Sequence, residues 1–466
     1  MTRKVQRVRD PLHNLIQFGD NDIDQTCWNV LNTRPLQRLR RVKQLGFSDY
    51  VYPGAAHSRL VHSVGVFHTA RQLSEVISDR VGGPSGRFNT RKAHVAIAAA
   101  LIHDIGHGPF SHAFEHALDG VKLSRKHETR TQAIINGTEI SKIFEDAFDS
   151  DFPDEVSNII LSRYPADIYA SMVSSQFDAD RLDYMRRDRI MSGTQQSAID
   201  YEWLLKNLKV GKIDVGVDDT NIKKVETFVL DRKASVAAEG YALSLFYLYI
   251  NVYFHKTTRG FEKLFTALME NIAHRVIGGK TCGLPANHPI VRYLRNPDGV
   301  EEFLRLDDTV VYGALSQLCD SKDHALSELS CRIRDRKPYR CFDVSKYMAA
   351  TYEAPDDPDS AKRAEARKTA RVKTAEAIEL IKERKLLQRR DQGIPLILED
   401  EAKRDAYKRD GKISSIYLMG ADEKLHDLAN ISSAVDELGQ YHAYRLYYRD
   451  EAGKKLIDQI VGEVTK

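Results

Sequence analysis

The chain has 466 residues, with 69 Lys and Arg against 66 Asp and Glu, which gives a formal net charge of +3. So small an excess does not imply nucleic acid or an anionic membrane as an obligatory partner, and nucleic acid is not expected as the main one. The length is sufficient for a large core and about two to four structural units.

Transmembrane and secretory signals are absent from the printed sequence. No run of about 18 apolar residues is present, so we expect no membrane span and no membrane partner. The opening residues MTRKVQRVRDPLHN lack the apolar stretch of a secretory signal. The five cysteines are dispersed without CxxC spacing: Cys27, Cys282, Cys319, Cys331 and Cys341. We therefore expect reduced, mostly buried thiols in a cytoplasmic protein, and no cysteine zinc site.

The first 278 residues predict a short N-terminal segment followed by a helical core. Residues 1–50 mix turn signals with one helical stretch, PLQRLRRVKQLG, and are a candidate region for nucleotide or subunit contacts. Over residues 51–278 apolar side chains recur at spacings of three and four, as in AHVAIAAALIHDIG, which predicts helices. The main exception, KVGKIDVGVDD, alternates like a short hairpin. We predict a mainly α fold, with residues 51–278 as the catalytic core and one small β-element.

Residues 279–466 predict a mixed α/β region. EEFLRLDDTVVYGALSQL is helical in pattern, KPYRCFDVSKY predicts a strand, and YHAYRLYYRDEAGKK predicts an edge strand with a turn. The stretch 366–390 carries nine Lys and Arg against three Glu and has high helix propensity. It predicts a solvated amphipathic helix, and a subunit contact or a surface facing polyphosphate stays an alternative.

The dipeptide His103-Asp104 is the strongest chemical signal in the chain. It follows the apolar run AIAAALI, and the Gly and Pro residues of LIHDIGHGPFSH must end that helix soon afterwards. An imidazole and a carboxylate are seldom buried unless a partner satisfies both, and a divalent metal does so. Two further ligands are available: His62 in HSRLVHSVGV, which shares a helix face with Arg59, and Asp180 in DADRLDY. Asp178 and Asp183 compete with Asp180 for this role.

Two neutral imidazoles and two carboxylates balance the charge of a divalent cation. Such a set of nitrogen and oxygen ligands suits Mn, Fe, Zn, Co or Ni. A six-coordinate ion would keep two positions for water and a phosphate oxygen. We therefore predict one divalent transition metal per subunit, held by His62, His103, Asp104 and Asp180. A single His-Asp pair is a weak signal, and the ordered series of three motifs supplies the specificity.

Other polar residues could act on a phosphate beside this metal. His107, His112 and His127 could serve in acid–base catalysis, with helix capping or simple phosphate contact as the alternative. Tyr184 and Asp188 are four residues apart in DRLDYMRRD, and Tyr184 shares a helix face with Asp180.

A third basic group stands in the segment NVYFHKTTRGFEK. His255, Lys256 and Arg259 place three phosphate-capable groups on about one helical turn. A solvated basic face is the alternative interpretation of this segment.

The motifs RPLQRLRRVKQLG, HSRLVHSVGV, LIHDIGHGPFSH, DADRLDYMRRD and YFHKTTRG occur in an order that resembles the HD-domain deoxynucleoside triphosphate triphosphohydrolases. The resemblance covers roughly residues 5 to 270. It implies a helical HD fold, a metal bound by the four residues already derived, and cleavage of a dNTP to deoxynucleoside and triphosphate. Additional Mg would accompany the nucleotide.

The resemblance also implies roles for other residues of this chain. His107, His112, Glu115 and His127 match positions that surround the phosphates and support catalysis, and Glu115 stands where mammalian members carry Asp. A tyrosine under the deoxyribose leaves no room for a 2′-hydroxyl. Implied substrate contacts are Gln44, Arg59, Arg181, Tyr184, Asp188, His255 and Lys256.

Members of the family assemble as homo-oligomers, so a dimer or tetramer is implied here. Activating nucleotides bind between subunits in the region of Asn32, Gln37 and Arg40. Asn32 stands where the mammalian enzyme uses an Asp to recognise guanine. Because an amide cannot offer the same paired acceptors, guanine specificity of an activator does not carry over.

The leading hypothesis is therefore a dNTP triphosphohydrolase, in which water attacks the α-phosphorus and His112 or His127 protonates the departing 5′-oxygen. The same metal chemistry would serve an HD phosphodiesterase or phosphatase acting on a cyclic dinucleotide or guanosine tetraphosphate. A non-catalytic nucleotide- or nucleic-acid-binding HD protein is a third hypothesis, which only the basic stretch 366–390 favours. DADRLDYMRRD together with YFHKTTRG favours the triphosphate pocket.

Overall fold

A computed structural model describes residues 4–81, 88–162, 164–216, 222–353, 356, 358–407 and 415–466. Helices dominate this part of the chain, which confirms the predicted mainly α fold. None of the helices within these ranges combines the length and apolarity needed to cross a bilayer.

The helices fall into a long series that surrounds the central core and a second series that interleaves with strands. Their bounds are α1 Asp22–Leu31, α2 Arg34–Arg38, α3 Arg59–Val81, α4 Thr90–Ile102, α5 His112–Asp119, α6 His127–Gly137, α7 Glu139–Ala147, α8 Phe152–Leu161, α9 Ala179–Ser192, α10 Tyr201–Asn207, α11 Ser235–Leu248, α12 Lys256–Ile277, α13 Pro289–Arg295, α14 Val300–Leu304, α15 Asp308–Cys319, α16 His324–Arg334, α17 Val344–Tyr352, α18 Ser360–Glu383, α19 Ser433–Asp436 and α20 Glu451–Val464.

The strands form small sheets at the periphery of the helical body. Their bounds are β1 Gln6–Asp10, β2 Asn14–Phe18, β3 Leu208–Gly216, β4 Ile222–Asp231, β5 Arg340–Asp343, β6 Arg390–Asp391, β7 Ile394–Pro395, β8 Ile397–Asp405, β9 Tyr417–Met419, β10 Leu425–Asp427 and β11 Gln440–Tyr448. The segment KVGKIDVGVDD, predicted as a short hairpin or strand pair, supplies one strand: β3 pairs antiparallel with β4, which lies beyond the segment, and β9 pairs parallel with β4. The last residues of KVGKIDVGVDD, 217–219, lie outside the described residues.

Helices α3 and α4 form the centre of the main core. Asn89 caps α4 by accepting a hydrogen bond from the Lys92 backbone N–H at 3.0 Å, and the alanine-rich interior of α4 packs against α3. Helix α4 ends at Ile102, so that His103 and Asp104 follow as the chain leaves the core. Helix α9 packs on the other side of α3. The three elements that carry the predicted ligands therefore meet in one place.

The C-terminal strand was wrongly predicted as an edge strand. β11 pairs antiparallel with both β5 and β8, so it is the central strand of its sheet. Its residues from Ala443 to Tyr447 are all buried rather than alternately buried and exposed, because helices cover both faces. The predicted turn after it is brief, since α20 begins at Glu451.

Two other predicted elements are divided by capping aspartates. The helix predicted over residues 301–318 is two helices, α14 and α15, because the Asp307 side chain accepts from the Val310 backbone N–H and starts a new helix. KPYRCFDVSKY is a strand only over β5, after which Asp343 caps α17 by accepting from the Lys346 N–H. Local cap chemistry decided both boundaries.

The basic stretch lies mostly on α18, which ends at Glu383, before the stretch itself ends. Ala370, Thr374, Ala377 and Ile381 form its buried stripe, and the remaining residues are half-buried or exposed. Neighbours α17 and α20 cover this stripe. The stretch is thus mainly the solvated amphipathic helix that its composition predicts. All five cysteines are free: Cys27 and Cys282 are buried, and the other three are half-buried.

Candidate metal centre and the histidines beside it

The four predicted ligands converge from three helices. His62 lies on the first turn of α3, His103 and Asp104 follow α4, and Asp180 lies on the first turn of α9. The Nε2 atom of His62 is 3.0 Å from Oδ1 of Asp180 and 3.8 Å from Oδ2 of Asp104. The Nε2 atom of His103 is 3.2 Å from Oδ1 of Asp104 and 3.7 Å from Oδ1 of Asp180. His62, His103 and Asp180 thus bring ligand atoms within 4.8 Å of one another, and Asp104 lies beside this group with its oxygens near both imidazoles.

The hydrogen bonds of the two imidazoles leave the atoms that face this point free for a cation. His62 Nδ1 donates to Oδ2 of Asp183 at 2.9 Å, and His103 Nδ1 donates to the carbonyl of Ala100 at 2.9 Å. In the neutral form of each ring, Nε2 is then the nitrogen that carries the lone pair. His62 Nε2 is buried without a hydrogen-bond partner. A buried, unpaired acceptor between two carboxylates is a good fit for a divalent metal.

The charges around this point are strongly coupled. Burial by itself would lower the pKa of His62, but the neighbouring carboxylates Asp180 and Asp183 raise it to about 10. Burial by itself would raise the pKa of Asp104, but the positive charges of Arg59 and His103 hold it well below its usual range. The carboxylates therefore favour protonation of the imidazoles when no metal ion is bound. A divalent ion would displace those protons.

Asp183 orients His62 from behind. This buried carboxylate also accepts from Nε2 of His13 at 2.7 Å and from Nε and Nη2 of Arg187 at 2.8 and 3.0 Å. Arg187 Nη1 donates in turn to Asp10 at 2.8 Å. His13 and Asp10 lie on the N-terminal hairpin, about 170 residues from Asp183, and the sequence interpretation missed both. Only the i, i+4 spacing of Asp183 and Arg187 could have indicated this network.

Gly65 on α3 makes room for that network. A Cβ atom at this position would overlap the carboxylate of Asp183 and the guanidinium of Arg187. We expect Gly65→Ala to lower the free energy of unfolding by about 1–3 kcal/mol through overpacking, measured by urea denaturation. Gly313→Ala on α15 is the matched control, because a Cβ there meets nothing within 4 Å. The control should be neutral or stabilising by up to about 1 kcal/mol, and an equal loss in both variants would contradict the packing argument.

A second cluster of histidines surrounds Glu115 next to Asp104. The Glu115 carboxylate lies 3.4 Å from His107 Nδ1, 3.5 Å from His112 Nδ1 and 3.3 Å from His127 Nδ1. The rings of His107 and His127 stack with centroids 4.0 Å apart, and His107 Nε2 is 3.4 Å from Oδ1 of Asp104. The four residues predicted from the resemblance to support catalysis are therefore adjacent in space.

These groups differ in exposure and in charge. The His112 side chain is 66% exposed and that of His127 is 25% exposed, whereas His107 is buried. Burial lowers the pKa of His107 to about 3, aided by the charges of Arg59 and His127. Burial alone would raise the pKa of Glu115, but its hydrogen bonds to three imidazoles hold it well below the usual range. His107 is thus neutral near pH 7 beside an ionised Glu115. His107, His112 and Glu115 also offer ligand atoms within 4.8 Å of one another.

A strained turn starts the helix that carries His112 and Glu115. Phe110 and Ser111 have φ angles of 52° and 57°, in the left-handed region. Asp308 secures the turn, because its carboxylate accepts from the backbone N–H groups of Phe110 and Lys43, each at 2.9 Å. Burial raises the pKa of Asp308 to about 6. Asp308 is nearly 200 residues from the turn, and no motif indicated it.

Some of the predicted substrate contacts face the metal centre. Arg59 is buried, donates to the Asp104 carboxylate through Nη1 and donates to Ser111 Oγ through Nε at 2.9 Å. Oε1 of Gln44 is buried without a hydrogen-bond partner. Arg181 is held by Asp178 at 2.7 Å, and the Asp178 carboxylate also caps α9. Asp178 is thus used within its own helix, which leaves Asp180 as the carboxylate that faces the two imidazoles.

Asp188 forms a buried group with two aromatic rings. His57 Nε2 donates to Asp188 Oδ1 at 2.9 Å, and the Tyr253 hydroxyl donates to Oδ2 at 2.8 Å. Tyr184 lies edge-on to Tyr253 with ring centroids 6.4 Å apart. Both oxygens of Asp188 therefore orient neighbours, and its direct contact with substrate stays a prediction. His57 and Tyr253 were not among the predicted site residues.

The three basic residues predicted to share one turn at 255–259 make different contacts. The His255 Nδ1 atom accepts from the Thr257 N–H and caps α12, and Lys256 is exposed. Arg259 instead donates to Asp400 at 2.6 and 2.9 Å and to Glu262 at 2.7 Å. Arg259 therefore ties α12 to β8 and is not free to bind phosphate, because its charge is already paired.

The residues implied in activator binding lie together near α2. The Asn32 side chain donates to the Trp28 carbonyl at 2.7 Å, and Gln37 donates to the Leu31 carbonyl at 2.7 Å. Arg40 Nε donates to Gln37 Oε1 at 2.7 Å, and the contact is exposed. Their role toward a nucleotide stays a prediction.

Comparison with known proteins gives a consistent result. The HD domain profile matches residues 59–185. The uncharacterized protein YwfO of Bacillus subtilis is 30% identical over 351 residues, which cover 74% of each chain. The SAMHD1 homolog of Dictyostelium discoideum, a deoxynucleoside triphosphate triphosphohydrolase, is 32% identical over 218 residues, or 45% of this chain and 41% of its own length. Mouse SAMHD1 is 28% identical over 381 residues, or 73% of this chain and 54% of its own length.

The present chain thus spans about half the length of these two triphosphohydrolases. Among solved structures, a phosphohydrolase from Bacteroides thetaiotaomicron aligns with a TM-score of 0.70 and 24% identity, covering 96% of this chain and all of the other. A hypothetical protein from Aquifex aeolicus aligns with a TM-score of 0.66 and 23% identity, covering 99% of this chain and 100% of its own. At these identities the two structures show a shared fold.

Proposed function

The chain belongs to the HD-domain phosphohydrolase family, and from this premise we propose that it hydrolyses deoxynucleoside triphosphates to deoxynucleoside and triphosphate. One observation carries the proposal: a set of two imidazoles and two carboxylates lies directly beside a carboxylate surrounded by three further imidazoles. The similarity to two curated dNTP triphosphohydrolases supports the choice of substrate.

His62, His103, Asp104 and Asp180 would hold one divalent transition metal, with Mn, Fe, Zn, Co or Ni suited to the donor set. When bound, the ion would supply Lewis acidity toward the attacking water and toward a phosphoryl oxygen. Asp183 fixes the His62 ring through the bond to Nδ1, and the Ala100 carbonyl fixes His103 in the same way. The chain thus presents both Nε2 atoms in the form that binds a cation.

Histidines on the other side of Asp104 would protonate the leaving group. Water would attack the α-phosphorus, the bond to the 5′-oxygen would break, and the triphosphate would keep all three phosphorus atoms. The departing 5′-oxygen needs a proton, which His112 or His127 would donate. Glu115 contacts both imidazoles and would stabilise whichever one is protonated. Arg59, close to Asp104, would balance negative charge on the α-phosphate.

Tyr184 would select the sugar. Its ring is half-buried next to Tyr253, and Asp188 holds Tyr253 in place. A ring packed under the deoxyribose would leave a 2′-hydroxyl without space or a hydrogen-bond partner. Gln44, Arg181, His255 and Lys256 are the further residues proposed to contact the substrate, and Mg would accompany the nucleotide.

The decisive experiment is product analysis by ion-exchange chromatography. The purified protein would receive each dNTP alone and then in pairs, with Mn or Mg. We expect equal amounts of deoxynucleoside and intact triphosphate, and slower or no turnover of the corresponding ribonucleotides. Turnover only in mixtures would indicate an activating nucleotide bound between subunits of a dimer or tetramer.

Three other outcomes would replace the proposal. Release of monophosphate and pyrophosphate would mean that attack occurs at a different phosphorus. No product from any dNTP mixture, together with cleavage of a cyclic dinucleotide or guanosine tetraphosphate, would identify an HD phosphodiesterase or phosphatase. Binding of nucleotide without any cleavage would indicate a non-catalytic HD protein.

A further inference from the structure

A cavity of about 200 Å³ lies against α6, the helix that begins at His127. Its walls come from α6, α14 and the residues just before α14. Arg125, Thr129 and Arg130 line one side, and Pro297, Asp298 and Phe303 line the other. Two arginines and an aromatic ring therefore share a small, partly apolar space that has no role in the proposed reaction.

Arg130 is the unusual member of this lining. Its residue surface is only 7% exposed, and Nη2 donates to the hydroxyl of Tyr293 at 3.1 Å. Its Nε and Nη1 atoms are buried without a hydrogen-bond partner. Among the described residues its guanidinium forms no ion pair with a carboxylate, and besides the Tyr293 hydroxyl it contacts the rings of Phe303 at 5.0 Å and Phe114 at 5.9 Å. A buried cation without a counter-charge is costly.

Other buried arginines among the described residues have more partners. Arg187 bonds to Asp183 and Asp10, and Arg445 lies 3.3 Å from Asp343. Arg38, whose guanidinium also lies over the Phe303 ring at 4.8 Å, donates to three carbonyl oxygens through Nη1 and Nη2, and only its Nε lacks a partner. Arg130 therefore differs from these residues in lacking an acceptor for most of its donors.

We infer that this cavity binds a small oxyanion of the phosphate class, with Arg130 in its wall and Arg125 at its rim. Pockets for drug-sized ligands measure about 300–1,000 Å³, so the cavity suits an inorganic phosphate group rather than a whole nucleotide. Asp298 opposes an anion, since it pairs with Arg125 at 3.0 Å. The pair is bidentate but exposed to solvent, so a bound anion would compete with Asp298 for Arg125.

The position of the cavity links it to the proposed active site. Helix α6 begins at His127, and Arg130 lies on its first turn. Arg38, which shares the Phe303 ring with Arg130, donates to the carbonyl of His107 at 2.7 Å. An anion held by Arg130 would therefore bias the placement of the stacked His107 and His127 rings. This consequence rests on the proposed function, whereas the binding site itself does not.

Calorimetric titration of the metal-loaded protein tests the site, with inorganic phosphate in one arm and inorganic triphosphate in the other. We expect two phosphates per subunit, one at the metal centre and one in the cavity. Arg130→Met should weaken only the second class of site, by at least about thirtyfold. Asp298→Asn should tighten it by about two- to fivefold, because it removes an exposed like charge. If Arg130→Met weakens binding in the phosphate titration, the natural occupant is free phosphate. If it weakens binding in the triphosphate titration, the occupant is the triphosphate product.

Equal stoichiometry and affinity in the wild type and both variants, in both arms, would overturn the inference. If circular dichroism shows that Arg130→Met does not fold, Asp298→Asn decides, since unchanged phosphate and triphosphate affinity in that variant also overturns it. Because the readout is binding, a failure here is distinguishable from a failure to hydrolyse dNTPs.

Discussion

Replacing Asp180 with alanine should remove the metal from the protein and lower kcat for dNTP hydrolysis by at least about 10³-fold. Asp180 Oδ1 lies 3.0 Å from His62 Nε2 and 3.7 Å from His103 Nε2, so it faces both lone-pair nitrogens. Without it, a divalent ion would have one carboxylate in place of two, and His62 would lose the partner nearest its free nitrogen. Metal content by mass spectrometry and the release of triphosphate are the two measurements.

Asp178→Asn on the same helix is the matched control. The Asp178 carboxylate accepts from the backbone N–H groups of Ser175 and Arg181 and from the Arg181 guanidinium, which are contacts within its own segment. Asn caps helices about as well as Asp. The control should keep its metal. Loss of metal from Asp178→Asn with retention in Asp180→Ala would show that the ligand assignment on α9 is wrong.

Replacing Asp183 with asparagine should give the second-largest effect, a loss of about 3–5 kcal/mol in the free energy of unfolding. This carboxylate is buried and receives hydrogen bonds from His13, His62 and Arg187. An amide would leave the Arg187 charge less balanced and would turn an N–H group toward a donor. Metal affinity should also fall about 10- to 100-fold, because the His62 ring would lose its orienting acceptor.

Urea denaturation and metal titration check both parts of this prediction. Asp335→Asn is the control, since Asp335 pairs with Arg334 on the surface and should change stability by no more than about 0.5 kcal/mol. Burial alone would raise the pKa of Asp183, but Arg187 and its other donors hold that pKa well below its usual range. The stabilisation is therefore present at neutral pH and is lost as the pH falls toward the folded-state pKa. An unchanged urea midpoint in Asp183→Asn would contradict the network.

Local signals in the sequence predicted the immediate surroundings of the metal. The apolar run before His103 and the glycines after it predicted a buried helix that ends at the His-Asp pair, and α4 does end at Ile102. The alternation in KVGKIDVGVDD predicted β structure, and β3 forms there, although its partner β4 lies beyond the predicted segment. These features depend on residues within one turn or one hairpin, where spacing and backbone preference act directly.

Features that depend on distant partners were not predictable from one sequence. The strand β11 was predicted to lie at an edge, because alternation cannot reveal how many strands pair with it. Arg259 is a residue type that often binds phosphate, yet it is paired with Asp400, 141 residues away. In both cases the outcome depends on packing between elements rather than on local pattern.

By itself, the sequence determined the candidate metal ligands and the helical class, because residue type and spacing specify both ligand atoms and the faces of helices. Only the tertiary structure decided which groups control those ligands. His13 from the N-terminal hairpin reaches Asp183 across 170 positions, and Asp308 reaches the backbone of Phe110 across 198. Such contacts form between buried polar groups that must find partners wherever the fold brings them. The partners therefore depend on the folded core, and no regular spacing in the sequence indicates them.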